Sequence, residues 1–349
     1  MNRVFVSVSL LALWACASDA PAVTGTATAP AGSAAPAPAG TSAPAAVSGT
    51  VSSDATWANG TSIASSVDIA PGVKVQIAPG ASISVAPAAT ITVHGTLSSD
   101  AKASRAKLSG SSWTGVVVDS GGAMTLSGVD LEGAMNPIDV KGGSQSASYE
   151  QATITGGVLR VDSGGSLQLD HVAVKQGGYS FVSGTFKASF LDYEGVGIAT
   201  GDPGASIFVA DSKLTGKGAD FFTTGGAQLV HVEYSTIDSS HCPFHFNTVS
   251  KFEIDHVTTG GMGATSTDAF GLMIYNPDVG PHSISYSNFN DPAWDQNRPT
   301  PEINVTHTYI HTINTKAGQI TFMPADASGN NAQTEMNTDA HPRGTPGPS

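Results

Sequence analysis

The sequence predicts an all-β fold in which short parallel strands coil into a solenoid, and three observations carry that prediction. A six-residue unit recurs nine times at a period near 22 residues. The stretch before it alternates apolar and polar residues between Pro-Gly turns. The composition, finally, suits strands better than helices: Val, Ile, Thr and Ser run together and are broken by 40 glycines and 20 prolines in 349 residues.

The same composition excludes several classes. Charged residues make up 12% of the chain, against about 25% in ordinary soluble domains. A helical bundle would be richer in Leu, Glu and Lys, and two cysteines cannot staple a disulfide scaffold. The formal charge, 15 − 28 = −13, repels phosphate backbones and makes nucleic acid a poor partner.

The repeat reads apolar, any, turn-like or aromatic, small, any, usually apolar. Its copies are Leu126-Ser-Gly-Val-Asp-Leu131, Tyr149-Glu-Gln-Ala-Thr-Ile154, Leu169-Asp-His-Val-Ala-Val174, Phe186-Lys-Ala-Ser-Phe-Leu191 and Val209-Ala-Asp-Ser-Lys-Leu214. It continues as Val232-Glu-Tyr-Ser-Thr-Ile237, Ile254-Asp-His-Val-Thr-Thr259, Ile284-Ser-Tyr-Ser-Asn-Phe289 and Val305-Thr-His-Thr-Tyr-Ile310. A straight strand buries alternate residues, yet here the apolar first and small fourth positions are three apart. A bend between them turns both inward and leaves the third position at a corner. Stacked turns then place Val129, Ala152, Val172, Ser189, Ser212, Ser235, Val257, Ser287 and Thr308 in one column, where buried hydroxyls need hydrogen-bond partners. Upstream, Ile69–Ile77, Ala81–Val85 and Thr90–Val93 alternate at strand period.

The N-terminus reads as an address. Arg3 precedes eleven mostly apolar residues, Val4–Trp14, too short to span a bilayer, which takes roughly 17–25 residues, but suited to a signal-peptide core. Leu13-Trp14-Ala15-Cys16 resembles the lipobox of bacterial lipoproteins. The resemblance implies a signal peptide over 1–15, an acylated Cys16 and a bacterial membrane as partner; Ala17 and Ser18, which follow Cys16, do not resemble the acidic inner-membrane retention signal, and this favours the outer membrane. Of residues 17–50, 31 of 34 are Ala, Pro, Gly, Ser or Thr, so residues 16–50 read as a disordered tether spanning on the order of 30 Å.

From 51 to 323 the chain resembles right-handed parallel β-helix proteins of the pectate-lyase-like superfamily. The resemblance rests on the repeats, on the Ala-Pro-Gly punctuated strands and on Ser112-Trp113-Thr-Gly115-Val116, which is similar to the Trp-x-Gly step of such coils. It implies roughly twelve turns and about 60 Å of rod. Residues 324–349 read as a frayed tail.

Departures from the repeat, concentrated near 241–302, are where function is expected. The corner positions hold His171, Tyr234, His256, Tyr286 and His307, and the last four, in successive repeats, predict a stack of rings up one edge on which sugar rings could lie. Trp294 sits in a polar, proline-bounded loop and joins that candidate surface. In Ser240-His-Cys-Pro-Phe-His-Phe-Asn247, period 2 turns Cys242, Phe244 and Phe246 inward and His241, Pro243, His245 and Asn247 outward, and His241 and His245 join the candidate ligand-binding surface. Histidines four apart on a straight strand lie about 13 Å apart, too far to share an ion unless Pro243 breaks the strand. No metal site is therefore expected, and Cys242 reads as a small buried hydrophobe.

The superfamily resemblance implies lyases or hydrolases of acidic polysaccharides, with Asp268, Asp291, Asp295 and Arg298 as the catalytic candidates and Asp278 and Glu302 nearby. Calcium, with its six to eight oxygen ligands, is a cofactor only under the lyase reading; otherwise none is expected. Asn337-Thr-Asp339 is similar to a hydrolase motif but lies in the tail, and the accompanying motifs are absent. Removal of Arg3 with the signal peptide leaves 14 − 28 = −14, which suits neutral glycans or envelope proteins better than polyanions. The leading expectation is thus a lipid-anchored cell-surface β-helix that binds glycan or another envelope component through its late turns. A polysaccharide lyase or hydrolase and a purely structural spacer are the alternatives.

Overall fold

The computed structural model describes residues 46–218, 220–260, 271–275, 281–292, 294–296, 303–312, 320–323 and 335–348. Among these, 30 strands and no helix are found; every strand pairing is parallel, and the strands wind into a solenoid of about 11 turns. Pairing begins at Ala46–Val51, a few residues inside the expected tether.

Each complete turn visits three faces. Ala123–Ser127 lies on the first, Val129–Ala134 on the second and Ile138–Val140 on the third, before Ser146 opens the next turn on the first face. Register runs straight along the axis: Met124 pairs with Ala147, Ala147 with Leu167, and the row continues through Phe186, Ile207, Val230 and Phe252. All of these side chains are buried, so one face of every strand contributes to a continuous core, as a stacked coil requires. Toward the late turns the core becomes aromatic, with Phe222 stacked on Phe244 at 5.6 Å and Phe246 against Phe252 at 5.0 Å.

One residue between the first and second faces makes the corner. Gly128, Gln151, His171, Phe190, Asp211, Tyr234, His256, Tyr286 and His307 all adopt positive φ, between 43° and 69°. Only one is glycine, so most of these corners carry backbone strain that the surroundings must offset. The nine positions are the third residues of the repeat, with one correction. Asp170 pairs with Ser189, which puts Phe190 rather than Ala188 level with His171. The fourth copy is therefore Ala188-Ser-Phe-Leu-Asp-Tyr193, and buried Leu191, not Ser189, enters the inner column.

That column satisfies the backbone that the corner opens. Leu191 N–H donates to Ser212 Oγ (3.0 Å), Ser212 N–H to Ser235 Oγ (3.1 Å), Val257 N–H to Ser287 Oγ (3.0 Å) and Ser287 N–H to Thr308 Oγ1 (3.4 Å). Each hydroxyl in turn donates to the carbonyl two residues before it, as Ser235 Oγ does to Glu233 O at 2.7 Å. The hydroxyls thus link turns through the main chain rather than bonding one another. Ser235→Ala leaves the Ser212 N–H and the Glu233 carbonyl without this bridge in a buried place, a cost of about 1–3 kcal/mol. Chemical denaturation of the intact chain should show that loss, and Ser235→Thr, which repeats the chemistry of Thr308, should recover most of it.

Candidate functional site

Three arrangements concentrate polar or aromatic side chains, and the first is the corner ladder. Tyr234, His256, Tyr286 and His307 stack face to face with centroids 4.4, 4.9 and 4.7 Å apart and planes within 13°. His171 stacks on Phe190 at 4.3 Å. Asp211 interrupts this series, and Arg343 from the C-terminal segment fills the gap. Its guanidinium lies 3.8 Å over the Tyr234 ring and makes a forked pair with Asp211, Nε to Oδ1 at 2.8 Å and Nη2 to Oδ2 at 2.7 Å. The hydrogen bonds from Arg343 hold the Asp211 carboxyl below its ordinary 3.8 although burial opposes this.

Arg343 belongs to a strap. Asn337 bonds to Asn288 and to the His307 carbonyl, Ala340 accepts from Thr258 Oγ1 at 2.6 Å, Asp339 lies 3.3 Å from His256 Nε2, and Gly347 N–H reaches Phe190 O at 2.7 Å. Residues 335–348 therefore run along the corner over six turns, which corrects the expectation of a frayed tail for that part of 324–349. Asn337 and Asp339 serve this docking. In the ladder the faces of Tyr234, His256 and Tyr286 are taken by neighbouring rings and by Arg343, and His256 is only 13% exposed, whereas His307 stacks on Tyr286 and is exposed. Tyr286 keeps 40% of its surface, mostly as ring edge.

The second arrangement centres on Asp220, which the sequence reading passed over. The strand expected across 241–247 starts only at Phe244, and Pro243 is buried rather than outward-facing. The bend through Ser240–Pro243 brings His241 and His245 to the same carboxylate: His241 Nδ1 donates to Asp220 Oδ1 and His245 Nδ1 to Oδ2. Cys242 N–H adds a bond to Oδ1 at 3.1 Å, and Tyr275 lies against His245 with centroids 5.3 Å apart. Burial alone would raise the Asp220 pKa, but the bonds from His245 and His241 outweigh it and bring it to about 2. A carboxylate one 22-residue period upstream of the histidines was the signal to look for.

The third is an open groove of about 440 Å³ on the first face. Phe208 points outward from Ser206–Ala210, in a row with Gln168, Lys187 and His231. Lys187 Nζ stands 5.6 Å from the ring and His231 6.2 Å from it. The neighbouring row, Asp170, Ser189, Ala210 and Glu233, places a small side chain beside the ring and acceptors around it. Rigid register fixes these groups: Ser189 Oγ donates to Asp170 (2.7 Å) and His231 pairs with Glu253 (2.8 Å).

The proposed catalytic residues are not brought into one described site. Asp268 and Arg298, with Asp278 and Glu302, lie outside the described residues. Asp291 is in Asn288–Pro292 on the second face and Asp295 in Trp294–Gln296 on the third. Trp294, expected in a loop, is a strand residue in register with Leu272 and Phe244, both buried positions, while Asp295 is in register with Met273 and His245. Cys16 also lies outside the described residues. Comparison with protein-family models, with curated proteins and with solved structures finds no match.

Proposed function

We propose that the chain is a lipid-anchored solenoid, held at the bacterial outer membrane through Cys16 and its tether, that binds neutral polysaccharide on its first face at Phe208. The observation that carries this reading is the groove itself: an aromatic ring presented outward on a rigid sheet, beside a small residue and within a rim of Gln168, Lys187, Ser189, His231 and Glu233. A pyranose ring offers an apolar C–H face for the phenyl ring and hydroxyls for such a rim. The acidic balance of the chain disfavours polyanions. The solenoid supplies a flat, rigid surface of the kind repeat folds use for extended ligands, and the resemblance of the Trp113–Gly115 step to that of pectate-lyase-like proteins is in keeping with a glycan ligand.

Affinity electrophoresis through gels containing neutral or acidic polysaccharides tests the reading. Retardation by a neutral polymer is expected for the intact chain and its loss for Phe208→Ala. Phe181→Ala, which removes a 46% exposed ring on another face, should leave retardation unchanged. Membrane fractionation of a Cys16→Ser variant checks the anchor: the protein should leave the membrane fraction.

A further inference from the structure

We propose that Asp220, His241, Cys242 and His245 form a binding site for one divalent transition-metal ion of the zinc type. A carboxylate oxygen of Asp220, a ring nitrogen of His241 and Cys242 Sγ all lie within 4.8 Å of one another. His245 brings its own Nδ1 to the second oxygen of the same carboxylate. Three donors, an oxygen, a nitrogen and a sulfur, thus lie together across two adjacent turns, and His245 stands at the other oxygen of the same carboxylate as the fourth. Tetrahedral zinc with bonds of about 2.0–2.3 Å holds its ligand atoms about 3.3–3.8 Å apart, so binding draws the three clustered donors closer and turns the His245 ring toward them.

The donor set decides the class of ion. Calcium and magnesium call for cages of oxygen, whereas imidazole with thiolate favours zinc and its neighbours. Without an ion, the two Nδ1 protons occupy the space between rings and carboxylate. On binding, the neutral imidazoles carry their proton on Nε2 instead, Cys242 Sγ–H releases one proton to solvent, and Asp220 is already ionised. Because four protein ligands complete the tetrahedron, the ion acts as a cross-link: it ties the segment around Asp220 to the bend at Ser240–Pro243 in the following turn.

The alternative is a hydrogen-bonded triad that needs no ion, and the experiment separates the two. The full chain, stripped with chelator, is dialysed to equilibrium against zinc chloride, with calcium chloride as the counter-probe. One zinc per chain is expected, undisturbed by excess calcium, together with a rise in melting temperature. Asp220→Asn and His245→Gln should each weaken zinc binding at least tenfold. Cobalt(II) in place of zinc should give a sulfur-to-metal absorption band in the near ultraviolet that Cys242→Ser abolishes. Absence of stoichiometric zinc on the intact chain overturns the proposal. So does zinc binding that persists unchanged in His245→Gln, a position 19% exposed and on the outward side of its strand, because the ion would then sit on others of the ten histidines.

Discussion

Gly115→Ala should be among the most damaging one-carbon changes in the solenoid. Gly115 opens a third-face strand two residues after Trp113, whose indole N–H donates to the Glu132 carbonyl of the next turn at 2.9 Å. Its φ is +133°, and a Cβ there would stand 1.7 Å from the Asn136 carbonyl oxygen, a main-chain atom of the adjacent turn. Neither rotation nor a flexible neighbour can relieve that overlap, so the two turns must separate. Strain at the disallowed φ and overpacking together amount to about 3–5 kcal/mol, or on the order of 10 °C in the first melting transition. Gly72→Ala is the control. Its φ is +79° but nothing lies within 4 Å of the added carbon, so only the backbone term remains, about 1 kcal/mol. Equal losses in the two variants would show that contact between turns at Gly115 is not what limits the fold.

Removing the strap should open the corner ladder without unwinding the solenoid. Asp211 is 7% exposed and its partner Arg343 54% exposed. Arg343→Ala leaves a buried carboxylate without its fork, and solvent at the exposed guanidinium moderates the cost to about 1–3 kcal/mol. In a solenoid each turn contacts mainly its neighbours, so the loss should be local. Hydrogen exchange should speed up at residues 335–348 and at the corners from Phe190 to His307, while first-face strands distant from them stay protected. The pH dependence has a definite sign. The Asp211 carboxyl is held below its ordinary 3.8 in the docked state, so its contribution is complete above that value and is lost only as pH falls through the lowered folded value. Strap protection should therefore be the same at pH 7 and pH 5 and decline below about pH 3.8. A strap that is released between pH 7 and pH 5 would show that the Asp211–Arg343 pair is not what holds it.

The parallel coil was legible because its physics repeats. A buried small residue three positions after an apolar one is incompatible with a straight strand, and nine copies identify the bend. The φ values locate the one misplaced copy: Ala188-Ser189 imitates the third and small fourth positions, while the left-handed corner falls two residues later, at Phe190. What remained hidden depends on pairs far apart in sequence. Arg343 acts on Asp211 across 132 residues, and nothing local in a Gly- and Pro-rich tail announces that partner. Asp220 was within reach, since adding one period leads to His241, but period 2 applied through Pro243 sent the histidines apart. Phe208 carried a local signal: an aromatic residue at an outward position of Ser206-Ile-Phe-Val-Ala210, where a polar one is usual.

The most direct test is a calorimetric titration of a soluble neutral oligosaccharide, chosen from the retarding polymer, into the intact chain and into Phe208→Ala and Tyr286→Ala variants. Binding on the first face predicts that Phe208→Ala weakens affinity at least tenfold, about 1.4 kcal/mol, and that Tyr286→Ala leaves it unchanged. Full affinity in Phe208→Ala with loss in Tyr286→Ala would contradict it and return the ligand to the corner ladder.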